Sequence, residues 1–297
     1  MATDIRTTLR AVTLSAVLAL AGGASGFAGQ AGGPLESGRE VDVALVLAVD
    51  VSGSIDYEEA ELQRKGIAEA FLSSEVVRAI QSGARGQIGV SVVYFSSRQF
   101  GVMGVPVNWM IVRDQDSAQR FVAQFLGAQR QRGIGTSIAD ALEVSQRMLG
   151  AVPYRSAKQV IDISGDGVNN AGRPVLQVRE EVLAKGITIN ALPIIDPSTP
   201  EDLDHYFQAC VVGGAGAFVL PAKGFGDFAR AMRRKLVLEI SGLTPEEEPT
   251  SKRMLIRTAA AVQPQPAPNR PAPPPRRTNS RPYPGGCDFP LYGGGFR

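Results

Sequence analysis

The sequence predicts an α/β fold, with a doubly wound and mostly parallel central sheet flanked by helices. Three observations carry that prediction. Val41 to Val49 is almost continuously apolar, as a strand covered on both faces must be. From Glu36 to Gly242 strand-like and helix-like runs alternate, the pattern that builds parallel strands through crossover helices. The stretch is about 200 residues long, an ordinary size for one such domain.

The elements follow in order. Val41–Val49 is the first strand, and Asp56 to roughly Ile80 is a helical run with Ile67, Phe71 and Leu72 on one side. Gln87–Phe95 is a second β-rich run and Val105–Val112 a third. Asp116–Leu126 and Ser137–Leu149 have helical periodicity; Lys158–Ser164 returns to strand, Pro174–Ala184 to helix and Ile187–Leu192 to strand. Thr199-Pro200-Glu201-Asp202 combines a capping residue, a proline at the first helical position and early acids, which predicts a helix start. Ala217–Leu220 is the last short strand and Phe225–Glu239 the last helix.

Composition excludes several function classes. With 31 Lys+Arg against 29 Asp+Glu in 297 residues, the net charge is only +2, which argues against a surface built to neutralise phosphates. The charge is uneven: the two ends are basic and the body between them mildly acidic. Two cysteines, Cys210 and Cys287, make neither a disulfide scaffold nor a cysteine-based zinc site. A single His205 leaves little for Ser–His or Cys–His catalysis.

At the N-terminus, Arg6 and Arg10 precede an apolar run from Ala11 to Ala21 and then small residues through Ala28. Basic, apolar and small regions in that order describe a secretory signal peptide. The run is shorter than the roughly 20 residues a membrane span needs. Residues 1–28 are therefore expected to be an address, cut after Ala28, and 29–40 a linker to a domain over 41–242. With no cysteine after the apolar run and so no lipid anchor, the expected product is periplasmic or secreted, with no transmembrane anchor after cleavage. Ten of the 20 prolines fall between Pro264 and Pro290, so 243–297 reads as a Pro/Arg-rich disordered tail.

The chemistry-bearing residues sit where strands end. The first strand stops at Asp50-Val51-Ser52-Gly53-Ser54, the fourth at Ser164-Gly165-Asp166-Gly167, and Ile134-Gly135-Thr136-Ser137 opens a helix between them. In an open α/β sheet, ligands bind beyond the carboxyl ends of the strands. Asp50, Asp166 and the hydroxyls of Ser52, Ser54 and Thr136 make a hard, all-oxygen set that suits Mg²⁺, with Mn²⁺ or Ca²⁺ as alternatives. Each residue also has a plainer reading. Ser52 and Ser54 could cap the following helix, Thr136 or Ser137 could be an N-cap with Asp140 as its capping-box partner, and Asp166-Gly167 could be an ordinary turn.

Asp50-Val51-Ser52-Gly53-Ser54, Thr136 and Asp166-Gly167 resemble the metal-ion-dependent adhesion site (MIDAS) of von Willebrand factor type A (VWA) domains, over about Val41 to Ser241. The whole chain is also similar to exported bacterial VWA proteins of unknown function. The resemblance implies a Rossmann-like fold, with a Mg²⁺ held directly by Ser52, Ser54 and Thr136 and partly through water by Asp50 and Asp166. It further implies that an acidic side chain of a partner protein completes the coordination, and that the last helix shifts on ligand binding. A P-loop, a dinucleotide fingerprint and a Gly-x-Ser-x-Gly elbow are all missing from the sequence, so no catalytic residues are assigned.

The expected function is metal-dependent protein–protein interaction, not catalysis. The alternatives are a Mg²⁺-dependent hydrolase of a phosphate-type substrate and a structural hub of the envelope. Four lesser features are read conservatively. Asp162 is expected to be a satisfied polar residue near a strand end, His205 a surface residue, Trp109 packing, and Arg276-Arg277 part of a solvated tail. A Cys210–Cys287 pair pinning the tail to the domain is left open.

Overall fold

The computed structural model describes residues 39–99, 101–200, 202–246 and 286–287. The signal-peptide reading, the linker reading up to residue 38, and the tail reading apart from residues 243–246, Gly286 and Cys287 lie outside them; the last linker residue, Glu40, already belongs to the first strand.

The chain begins with β1 (Glu40–Asp50), α1 (Tyr57–Leu72), α2 (Ser74–Gln81), β2 (Ile88–Phe95), β3 (Met103–Val112) and α3 (Gln115–Gly127). It continues with α4 (Ile138–Gly150), β4 (Arg155–Gly165), α5 (Val175–Leu183), β5 (Thr188–Pro193) and α6 (Leu203–Tyr206), which runs on as a π-helical stretch, Phe207–Val211. A 3-10 turn at Phe225–Asp227 leads into α7 (Phe228–Ser241).

The sheet has the order β3-β2-β1-β4-β5 and is parallel except for β3, which runs antiparallel to β2 at one edge. From Val43 to Asp50 every residue of β1 is buried, as its unbroken apolar sequence requires. Alternate side chains of β1 feed two cores. Val43, Leu45, Leu47 and Val49 face α1, α2, α3 and α7, whereas Ala44, Val46 and Ala48 face α4, α5 and the Phe207–Val211 segment. Leaving β1 the chain pairs to one side with β2, and β4 pairs on the other side. The strand order therefore reverses between β1 and β4, and a crevice opens beyond their carboxyl ends.

Three local differences from the sequence reading have physical causes. The helical run from Asp56 is two helices, because Ser73 adopts an extended conformation; its hydroxyl donates to Ala70 O at 2.8 Å and accepts from Val76 N at 3.2 Å, ending α1 and capping α2. Thr199 does not start a helix: its hydroxyl closes a turn on Asp196 O, and α6 begins only after Asp202, which has a left-handed φ of 59°. Ala217–Leu220 joins the sheet edge through an isolated bridge, Ala191 to Val219, and not as a ladder.

Cys210 and Cys287 form a disulfide spanning 77 residues of sequence, with Cα atoms 5.4 Å apart. Tyr206 Oη donates to Cys287 O at 3.2 Å, so this point of the C-terminal segment is tied to the domain twice.

Candidate metal centre

Asp50 ends β1 with its side chain wholly buried. Its Oδ1 accepts the Ser52 N–H at 2.8 Å, which folds the Asp50-Val51-Ser52 turn. Its Oδ2 is also buried but has no hydrogen-bond partner. A Cβ added to Gly165 would lie 2.7 Å from that oxygen, so the carboxylate reaches across β4 only because residue 165 lacks a side chain. From the opposite rim, Ser54 Oγ donates to Asp166 Oδ1 at 2.9 Å, and Ser52 Oγ lies 3.0 Å from Ser54 Oγ. Asp50, Ser52, Ser54 and Asp166 thus form one connected oxygen cluster at the point where strand order reverses.

Thr136 is buried beside the same turn; a Cβ on Gly167 would be 3.4 Å from Thr136 Oγ1. Its backbone is clamped to the post-β4 loop in both directions, with Thr136 N donating to Asn170 Oδ1 at 2.7 Å and Asn170 N to Thr136 O at 2.9 Å. Asn169 Oδ1 accepts from Ala139 N at 3.1 Å, fixing the start of α4, and Asn169 N donates to Tyr206 Oη at 3.0 Å. Through Tyr206 this loop connects to Cys287 and the disulfide. A third segment braces the first: Gly133 N donates to Val51 O at 2.8 Å, and Arg132 Nη2 donates to Gly53 O at 2.7 Å.

The plainer readings of these residues can now be separated. The cap of α1 is Asp56, in a reciprocal capping box with Glu59, so Ser52 and Ser54 are not needed there. Ser137 caps α4 by accepting Asp140 N at 3.1 Å, which leaves the Thr136 hydroxyl to face the Asp166-Gly167 turn. The structure brings all five residues singled out in the sequence to one crevice. Asn169, Asn170 and Arg132 were missed by sequence reasoning; the only local signal was the Asp-Gly-Val-Asn-Asn run following β4.

The electrostatics are those of a site short of positive charge. Burial first, and then the charge of Asp166, pushes Asp50 up to about 8 against the opposing bonds from Ser52. Burial also raises Asp166, opposed mainly by its Ser54 bond. No lysine or arginine pairs with either carboxylate among the described residues. Nor, among those residues, do three or more His, Cys, Asp or Glu gather to hold a metal, so hydroxyl oxygens must complete any donor set. Two carboxylates, one of them with a buried unpartnered oxygen, and three hydroxyls fit a hard divalent cation.

Asp162 lies elsewhere. It sits mid-strand on the α7 face of β4, 2.6 Å from Lys235 Nζ, and both residues are buried. Lys235 also pairs with Glu239 at 2.5 Å, and Asn190 Nδ2 donates to Glu239 Oε1 at 2.7 Å. His205 is half-buried in α6. Trp109 is packing, edge-on to Tyr154 at 6.5 Å.

A family model described as a protein of unknown function, DUF1194, matches residues 40–244, more than half of the chain. Among solved structures, proximal thread matrix protein 1 of the mussel byssus is 16% identical with a TM-score of 0.51, over 69% of this chain and 49% of that one. The pilus adhesin SpaC of Lactobacillus rhamnosus GG is 14% identical with a TM-score of 0.52, over 68% of this chain and 31% of the adhesin. A further structure of the mussel protein, described with a zinc-occupied MIDAS motif, is 18% identical with a TM-score of 0.48. The chain thus spans half or less of these proteins, and the likeness is one of fold: the VWA-type α/β architecture. No curated protein matches.

Proposed function

The chain belongs to the DUF1194 family, and we propose that its 41–242 domain is an exported interaction module that binds a divalent cation in the β1–β4 crevice. The observation that carries this reading is the buried, unpartnered Asp50 Oδ2, set among hydroxyls and a second carboxylate. Asp50, Ser52, Ser54, Thr136 and Asp166 would hold the ion, and the hardness of the set favours Mg²⁺ over softer metals. When bound, the ion would supply an electrophilic centre for a carboxylate from an acidic side chain of a partner protein.

The chain's own residues do the positioning. The Ser52 N–H orients Asp50, Ser54 orients Asp166, and Arg132 and Gly133 hold the Val51–Gly53 turn from outside. Asn170 holds Thr136 at its backbone. The Cys210–Cys287 disulfide supports a periplasmic or secreted location, since such bonds persist in oxidising compartments. The basic, apolar and small regions of residues 1–28 support the same address. Among the described residues no helix is long and apolar enough to cross a membrane. Neither the hydrolase nor the envelope-hub alternative gains an observation from this geometry.

The test is calorimetric titration of metal-stripped protein with Mg²⁺ and Mn²⁺. The expected result is a single saturable site that disappears in Asp166→Ala, while circular dichroism shows that the fold persists. Undiminished cation binding by the variant would overturn the assignment.

A further inference from the structure

A cavity of about 280 Å³ opens directly beside the candidate metal centre, between the start of α1 and residues 130–132. Val51, Ile55, Ala60 and the Tyr57 ring give it apolar walls, and Arg130, Arg132 and Asp56 are the charged residues of its lining. Ser52 lines the cavity and also belongs to the oxygen cluster, so the two sites share a wall. At about 280 Å³ the cavity has room for one large side chain.

The walls are held in place before anything binds. Arg130 stacks over the Tyr57 ring, 3.7 Å from its centre, while bonding Tyr57 O at 3.1 Å and pairing with Glu61 at 3.5 Å. Arg132 is anchored on Gly53 O, in the metal-site turn itself. Tyr57, on the cavity wall, is 72% exposed and Ile134, farther along the loop that carries Arg130 and Arg132, is 69% exposed, more than any other large apolar side chain of the described residues. Ile134 stands two residues before Thr136, and Tyr57 opens α1 three residues after Ser54, so the most exposed apolar groups lie close in sequence to two of the segments that form the crevice. Exposed aromatic and aliphatic groups beside arginines are what the centre of a protein interface is made of.

We infer that the partner segment presenting its carboxylate to the β1–β4 crevice also places an aromatic or long aliphatic side chain in this cavity. The ligand is then an acid with an apolar neighbour, and the pair, not the acid alone, sets specificity. This inference rests on the cation-binding reading above. Arg130 and Arg132 outnumber Asp56 in the lining, so even with Arg130 already paired to Glu61 the lining itself carries a net positive charge that favours a chain carrying acids over one carrying lysines.

The experiment measures binding of acetylated, amidated pentapeptides Gly-Xaa-Glu-Xaa-Gly, with Xaa as Phe, Leu or Gly, to the full chain in Mg²⁺ and in EDTA. Burying the Phe or Leu side chain is expected to make those peptides about 10- to 100-fold tighter than the Gly peptide in Mg²⁺. Ala60→Phe fills the cavity and should bring that ratio close to unity. Tyr57→Ala, at an exposed position that a folded chain tolerates, should lower the ratio several-fold and serves if the first variant fails to fold.

Equal binding of all three peptides in Mg²⁺ overturns the cavity's role, as does no binding by any of them to protein that calorimetry shows to be loaded with Mg²⁺. A ratio unchanged in both variants does the same. A Phe preference that persists undiminished in EDTA supports the cavity and contradicts the metal reading instead, so the two failures are distinguishable.

Discussion

Asp50 and Asp162 are both wholly buried carboxylates on neighbouring strands of one sheet, yet the molecule meets their charges in opposite ways. Asp162 faces Lys235, which lies between it and Glu239, with the Phe218 ring 5.5 Å from the ammonium and Asn190 bonded to Glu239. Asp50 faces a second carboxylate and hydroxyls, and among the described residues no basic side chain pairs with it. In the first region the chain provides the cation, although Asp162 Oδ2 and Glu239 Oε2 are also buried without hydrogen-bond partners; in the second it provides only oxygen, and Asp50 Oδ2 has neither a hydrogen-bond partner nor a paired basic group among the described residues. A protein interior does not tolerate such an imbalance without either holding a proton or recruiting an ion. The difference is the physical reason for reading the β1–β4 crevice as a metal site and the α7 cluster as structure.

The largest effect that would break the comparison is expected at Lys235. Lys235→Met leaves Asp162 and Glu239 buried with no counter-charge and should destabilise the domain by about 3–5 kcal/mol in urea denaturation. Replacing the cluster as a whole, with Leu at 162 and 239 and Met at 235, should recover most of that loss. If Lys235→Met is as stable as the parent, the cluster is not a charge-balanced unit.

A smaller, pH-dependent effect follows from the cluster's own imbalance. Two acids share one ammonium, and burial, reinforced by the Glu239 charge, pushes Asp162 up to about 7 against the pull of Lys235. The groups facing it are Lys235 and Glu239 from α7 and Asn190 from β5, with Lys158 farther along its own strand. An acid that holds its proton more tightly when folded stabilises the fold below its ordinary range near 4 and loses that stabilisation as pH rises towards 7. In EDTA, and in an Asp50→Asn/Asp166→Asn background that removes the other two raised acids, stability should fall by about 1–2 kcal/mol from pH 5 to pH 8. Adding Asp162→Asn should flatten that slope. A slope that survives unchanged would place the titrating group elsewhere.

Asp50→Asn itself should have the opposite sign to Lys235→Met in the metal-free protein. It removes a carboxyl whose ionisation is opposed first by burial and then by the Asp166 charge, and it can still accept the Ser52 N–H, so the apo domain should gain about 1 kcal/mol while Mg²⁺-induced stabilisation disappears. A loss of apo stability with Mg²⁺ stabilisation intact would reverse the roles assigned to the two regions.

The candidate metal region was legible in the sequence because its residues are local signals. Asp50-x-Ser52-x-Ser54 ends an unmistakable buried strand, Thr136 opens a helix, and Asp166-Gly167 ends another strand, so topology alone gathers them. The α7 cluster was not legible. Asp162 and Lys235 are distant along the chain, and nothing in the period of either element says that they pair. The clamps from Asn169, Asn170 and Arg132 were hidden for the same reason: each bonds a backbone group of a different loop. The break at Ser73 shows the converse, a local hydroxyl cap interrupting a helical period that sequence reading carried straight through.

The most direct test of the central claim is a crystal structure of the domain grown with Mn²⁺, with the ion located by its anomalous signal. The account predicts a single peak in the β1–β4 crevice, bonded to oxygen of Ser52, Ser54 and Thr136 and close to both Asp50 and Asp166. A crevice without a peak at saturating Mn²⁺, or a peak held by other residues, would contradict it.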